Sequence, residues 1–426
     1  PTLKDAVYMA IDAGIDMCMV PNDYDFTILL TELVKEGKIS EARLDVSVKR
    51  ILELKKQLGL FEQPFTPANT DYKKFGSTEF ARAAQNMAEE SITLLKNNNQ
   101  VLPIQQSAKI LVTGPAANSM TYLNGAWTRT WQGTDTIWND QSKYTIREAF
   151  NPATTTFIAS DNMSDTDVRE KMFAAAKASD VIIICLGEKP STEKVGDIDA
   201  LTMPDNQQQL VGLLKSTGKP VVLVLVENRP LIVNDIEPLC DAIVLAYEPG
   251  DYGGLALANI IYGKVNPSGK LPFTYPRHEA SLLWYDHKHT ETLDQTFGRK
   301  AFNPQWEFGY GLSYTTFQYS NLKISNDTLS TGNLQISVDV TNTGTTTGKE
   351  VVQFYIADRY ASITPSVKRL RGFEKVEIKP GTTHIVSFTI SAKDLAFVGR
   401  DEKWISEAGW FDIMLGSEKS SFYLSK

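Results

Sequence analysis

Four apolar runs constrain this chain more than any other feature: KILVTG at 109–114, DVIIICLGE at 180–188, PVVLVLVEN at 220–228 and DAIVLAY at 241–247. Each is nearly continuous Val, Ile and Leu, with no alternation of polar residues. That is the pattern of strands buried on both faces of a parallel sheet. The stretches between them, Asp165–Ala178 and Asp205–Thr217 among them, carry helical spacing. Residues 90–280 are therefore predicted to form an open doubly wound α/β sandwich domain. In such a domain, ligand chemistry belongs on loops leaving the carboxyl ends of the strands.

The flanks read differently. After residue 312 the hydrophobic period becomes two, as in LQISVDVTN (334–342) and HIVSFTI (384–390), with TNTGTT and KPGTT as turns. About seven such strands predict a small β-sandwich over 313–426. At the other end, residues 2–13 are helical in pattern with Gly14 as a stop, IDMCMV (15–20) is a short strand candidate, and Phe26–Val34 is helical. Ser40 is placed to cap a further helix with the apolar stripe Leu44, Val48, Ile51, Leu52 and Leu58, Ile39 and Leu44 forming a hydrophobic staple. One strand and a few helices close no core, so residues 1–60 are expected to end an α/β domain whose body is absent from this sequence. A linker and a connecting helix fill 61–89, the helix drawn over 78–96, and 281–312 is a connector.

Composition narrows the function. Lys plus Arg is 43 against Asp plus Glu at 51, a net charge of −8, which argues against a nucleic-acid partner. No apolar run approaches the roughly 18 residues of a membrane helix, so no membrane association is expected. Cys18, Cys185 and Cys240 each lie in an apolar stretch and read as reduced thiols. Of four histidines only His287 and His289 are close together, so no metal site is expected. Asn162-Met-Ser and Asn326-Asp-Thr are glycosylation sequons by letter alone. The turn after the first run, VTGPAAN (112–118), lacks GxGxxG and reads as structural.

Two loops at strand ends carry candidate chemistry. The second run opens into Glu188-Lys-Pro-Ser-Thr-Glu193-Lys194-Val-Gly-Asp197-Ile-Asp199, rich in carboxylates. A carboxyl group there can act as a proton donor if its surroundings raise its pKa, and a solvated acidic loop is the competing reading. After the first run comes Asn124-Gly-Ala-Trp127-Thr-Arg-Thr-Trp131-Gln-Gly, whose tryptophans are either core plugs or a stacking platform for sugar faces.

The segments AGIDMCMVP (13–21), LGLFEQPF (58–65), SITLLKNN (91–98), GAWTRTWQG (125–133), LGEKPSTEKVGD (186–197), NRPL (228–231), NPSGKLPFTYP (266–276), FGYGLSYTTF (308–317) and KRLRGFEKVEIKPG (368–381) occur in one order along nearly the whole chain. Together they resemble glycoside hydrolase family 3, in its exo-acting β-glucosidase and β-glucan glucohydrolase branch, with a fibronectin type III-like domain at 313–426. The resemblance implies that 1–60 is the C-terminal end of a (β/α)8 barrel. It also implies retaining hydrolysis of terminal non-reducing β-D-glucosyl residues from β-glucosides and β-gluco-oligosaccharides, with no cofactor. Retention needs a nucleophile and an acid/base about 5–5.5 Å apart.

The resemblance places the acid/base on Glu193, with Glu188, Lys194 and Asp197 as loop support. It puts an aglycone-stacking indole at Trp131, with Trp127 behind it, and makes Met19 a pocket-wall residue. The family's nucleophile is an Asp in an SDW- or SDH-like motif just upstream of the opening helix. No such motif occurs here, and neither Asp16 nor Asp23 matches the role. The chain is thus expected to supply the acid/base half of a site, to need the missing barrel segment of the same protein, and to be inactive alone. Pro249-Gly-Asp-Tyr-Gly-Gly254 departs from the family's PGxEGG, so the role of that carboxylate does not carry over. A periplasmic or secreted location and a homodimer are family habits. The alternative reading is a non-catalytic glycan-binding or scaffold protein on the same fold.

Overall fold

The computed structural model describes residues 2–65, 74–160, 165–281, 284–292 and 302–425, and the chain divides into two compact units, 1–77 and 78–426. The Asn162 sequon lies outside the described residues.

The first unit holds three helices, α1 Leu3–Asp12, α2 Asp25–Lys35 and α3 Glu41–Gln57. Local signals set their ends. Thr2 and Asp5 form a capping box on α1, and the Ser40 side chain accepts from Arg43 N at 3.2 Å at the start of α3. Gly59, at φ +70°, closes α3 in a Schellman turn, its amide donating to Lys56 O and that of Leu60 to Lys55 O. Val7, Ile11, Leu33 and Ile39 are buried together, with Leu44 packed against them. The rest of the predicted α3 stripe differs from expectation, for Val48, Leu52 and Leu58 are exposed. Residues 15–20 form no strand either. A strand requires a neighbouring strand for its amides, and none pairs with this segment among the described residues.

The second unit opens with α4 Thr78–Ser91 and β1 Thr93–Asn97. The helix predicted over 78–96 therefore stops early. Residues 92–95 are buried, and Thr93–Asn97 bond to a neighbouring strand, which a helix cannot do. There follow β2 Ile110–Thr113, α5 Met120–Asn124, α6 Ile146–Ala149, β3 Thr155–Phe157, α7 Thr166–Ala178, β4 Val181–Gly187, α8 Asp205–Lys215, β5 Val221–Val226, β6 Ala242–Leu245 and α9 Gly253–Ile261. The sheet runs β1-β6-β5-β4-β2-β3, parallel except for β1, which is antiparallel to β6. Alternate residues feed two cores. Ile183 and Cys185 of β4 pack with Leu123, Leu257 and Ile260 on one face; Ile182, Ile184 and Leu186 pack with Met172, Leu210 and Leu214 on the other. Burial on both faces is why these strands carry no polar alternation. Strand order reverses between β2 and β4, the switch point where an open α/β sheet places its ligand.

The C-terminal part is a β-sandwich. Its strands are β7 Phe317–Ile324, β8 Thr328–Leu329, β9 Asn333–Asn342, β10 Gly348–Asp358, β11 Arg369–Ile378, β12 Thr383–Ser391, β13 Phe397–Val398, β14 Trp404–Ile405, β15 Gly409–Leu415 and β16 Glu418–Leu424. One sheet is β11-β10-β15-β16-β8 and the facing one β12-β9-β7, with β13-β14 a separate ribbon. Ile336, Val338 and Val340 of β9 meet Phe354, Ile413 and Phe422 across the core, so the period-two reading holds, with one strand more than expected in the two sheets.

Candidate active site

Four loops leave the carboxyl edge of the parallel sheet, and polar contacts tie them together. The loop after β2 and α5 is closed on itself. Gly125 turns the chain at φ +72°, Trp127 takes the left-handed conformation at φ +62° and donates its amide to Trp131 O at 3.1 Å, and Gly133 packs so tightly that a Cβ would sit 2.2 Å from Gly125 O. The two indoles stand out from this loop, Trp127 66% and Trp131 48% exposed. They are not core plugs.

At the end of β4, Gly187 approaches the next strand so closely that a Cβ would lie 1.8 Å from Val226 O. Glu188 follows, and a 3-10 turn begins at Glu193, which is exposed and sits at φ +55°, a conformation uncommon for a residue with a side chain. Two side chains hold this turn. The Gln132 amide accepts from Thr192 N at 3.0 Å and donates to Thr192 O at 3.1 Å. Arg229, on the loop after β5, donates Nε to Glu188 at 2.8 Å and Nη1 to Gly196 O at 2.8 Å. Arg129 of the tryptophan loop pairs with Asp251 of the loop after β6.

Behind Arg229 lies a buried carboxyl, Glu227. Tyr275 Oη is 2.8 Å from Glu227 Oε1 and 2.6 Å from Leu231 O. One hydroxyl proton cannot serve both acceptors. Burial pushes the Glu227 pKa well above the ordinary carboxyl range; the hydrogen bond from Tyr275 opposes that rise and the Glu188 carboxylate adds to it. Glu248, on the loop after β6, is also shifted upward, first by burial and then by Glu188. Its carboxylate lies under Gly125, where a Cβ would come within 2.2 Å of it. The edge therefore gathers Glu227 and Glu248 near Glu188, and Glu188 alone of the three pairs with Arg229.

The sequence-predicted residues fall unevenly. Glu193, Trp127, Trp131 and Glu188 occupy this edge, and Glu188 is engaged by Arg229. Lys194 and Asp197 are exposed, and neither makes a side-chain hydrogen bond or ion pair among the described residues. Met19 belongs to the first unit and is 94% exposed. Asp16 accepts from Ser47 Oγ at 2.7 Å and pairs with Arg50, while Asp23 Oδ1 accepts from Asp25 N at 3.0 Å, so both have local structural roles. His287 stacks on Phe302 with ring centroids 4.1 Å apart, its Nδ1 2.9 Å from Trp284 O. The three cysteines are free thiols. Sequence reasoning missed Gln132, Arg229, Glu227, Glu248 and Asp251. All lie on loops after buried strands, and that placement was the available signal.

Comparison with known proteins bears on this edge. Residues 2–54 match the glycosyl hydrolase family 3 N-terminal domain, 92–314 the glycosyl hydrolase family 3 C-terminal domain, and 350–419 a fibronectin type III-like domain. The lysosomal beta glucosidase of Dictyostelium discoideum is 40% identical over 99% of this chain and 54% of its own length. The periplasmic beta-glucosidase of Salmonella typhimurium is 32% identical over 98% of this chain and 59% of its own length. A mutant beta-glucosidase from Listeria innocua, solved in complex with laminaribiose, superposes with a TM-score of 0.89 at 29% identity, covering 99% of this chain and 60% of that one. The chain thus spans little more than half the length of these relatives. With the two-faced sheet, the sandwich and matches in the same order along the sequence, it belongs to glycosyl hydrolase family 3.

Proposed function

We propose that this chain carries the acid/base half of a retaining exo-β-glucosidase site, with Glu193 as the proton donor. The carrying observation is the placement of Glu193 on a loop fixed at both ends at the carboxyl edge of the sheet, beside an exposed indole pair. Glu193 protonates the leaving oxygen of a terminal β-D-glucosyl residue as a nucleophilic Asp attacks, then activates the water that releases the sugar. Trp131 stacks the aglycone sugar, a contact worth about 0.5–1.5 kcal/mol beyond area burial. Glu188 acts through Arg229, which braces the turn. Substrates are β-glucosides and β-gluco-oligosaccharides, in line with the names of the relatives. The nucleophile comes from barrel sequence beyond this chain, and the exposed apolar side chains of residues 2–65 are the surface that barrel covers. A periplasmic or secreted setting follows the Salmonella relative.

The test is Glu193→Ala in a polypeptide with a complete barrel. Turnover of alkyl glucosides should fall by about 10²–10⁴-fold, the usual weight of a general acid. Azide should partly restore turnover of aryl glucosides with good leaving groups by attacking the glycosyl-enzyme. Full activity in the variant removes Glu193 from the role, and no turnover by the unsubstituted polypeptide favours the glycan-binding reading.

A further inference from the structure

We propose that Gln132 is a positioning residue for Glu193, so that protonation of the leaving group depends on the loop that bears Trp131. The inference rests on the reading of Glu193 as acid/base and extends it to a residue with no assigned part.

The geometry is specific. A glutamine amide has one acceptor and one donor group, and Gln132 spends both on the backbone of one residue, Thr192, at 3.0 and 3.1 Å. Thr192 is extended, at φ −149° and ψ 163°, and immediately precedes Glu193 at φ +55°. Holding both polar groups of Thr192 fixes the direction in which the chain enters Glu193. The far end of the turn is held separately by Arg229 on Gly196 O. No hydrogen bond or ion pair of the Glu193 side chain occurs among the described residues, so the backbone alone aims it. Gln132 directly follows Trp131, whose carbonyl is held by Trp127 N–H at 3.1 Å. A shift of the platform therefore reaches the proton donor through one side chain.

The test uses Gln132→Glu and Gln132→Met in the polypeptide with a complete barrel, alongside Glu193→Ala. Glutamate keeps the shape of glutamine but loses the donor to Thr192 O; methionine loses donor and acceptor and guards against a carboxylate-specific folding defect. The readout is kcat/KM, which reports the step in which the glycosidic bond breaks. An electron-poor phenol leaves without a proton, whereas an alkoxide or sugar leaving group needs one. For both Gln132 variants, kcat/KM on methyl β-glucoside and a β-linked disaccharide should fall at least about tenfold, within the range spanned by general-acid catalysis, while 2,4-dinitrophenyl β-glucoside stays within about twofold. Equal loss on all three substrates overturns the inference, since a general folding or binding defect does that. So does no loss on any. If Glu193→Ala shows the leaving-group split and the Gln132 variants do not, the positioning role alone falls. If Glu193→Ala shows no split, the acid/base reading falls and takes the positioning role with it.

Discussion

In β4, β5 and β6 every side chain is buried, whereas across residues 2–65 Leu3, Met9, Ile28, Val48, Leu52 and Leu58 lie exposed. Both regions carry apolar residues at regular spacing, and only one of them has a core of any size. The contrast separates two kinds of information. A helix satisfies its own backbone, so α1 and α3 form from Thr2, Asp5, Ser40 and Gly59 regardless of what covers them. A strand does not, and IDMCMV stays irregular although every residue in it but Asp16 is apolar. Apolar spacing says which face a residue prefers; a neighbouring element decides whether that face is filled.

Substitutions sharpen the contrast, and the largest effect belongs to the sheet. Leu223→Ala, at a fully buried position of β5, should cost about 2–5 kcal/mol in denaturant unfolding, because it leaves a cavity between close-packed layers. A loss under about 1 kcal/mol would mean that this core is loosely filled.

An intermediate effect is expected at Glu227, with a defined sign. Its folded-state pKa is raised well above the ordinary value of 4.5, so above that pH the unfolded chain releases a proton that the folded chain retains, and wild-type stability is lost as pH rises. Glu227→Gln retains a hydrogen-bonding partner for Tyr275 without this penalty. Thermal unfolding should show the variant more stable than wild type at pH 8, with the gain shrinking toward pH 4. A gain that grows on acidification would show that Glu227 is ionised in the fold.

The smallest effect should come from the first unit. Leu52→Ala should change stability by no more than about 0.5 kcal/mol, as for an ordinary surface site. A loss matching Leu223→Ala would show that the α3 stripe is packed after all.

The same distinction governs what the sequence reveals. Strands β2, β4, β5 and β6 were legible because burial on both faces removes polar residues from them. β3 was not, since three residues carry no period, and β1 was absorbed into the pattern of the helix before it. The caps on α1 and α3 lie within a few residues of one another and could be read directly, at least for Ser40. At the site, the carboxylate loop and the tryptophan loop stood out by composition, and the family resemblance chose Glu193 and Trp131 from them. Gln132 with Thr192 and Arg229 with Glu188 were invisible because the partners are 60 and 41 residues apart, and only the strand order brings them together. Glu227 was missed for the same reason, because its partner, Tyr275, lies 48 residues on.

The half-site claim is tested most directly by assaying one aryl β-glucoside with this chain alone and with the polypeptide that adds a complete barrel, each beside its Glu193→Ala variant. The account predicts turnover only from the longer polypeptide, sharply reduced by the substitution, and none from this chain above its own variant. Turnover by this chain alone that depends on Glu193 would contradict it, because the nucleophile would then lie within these 426 residues.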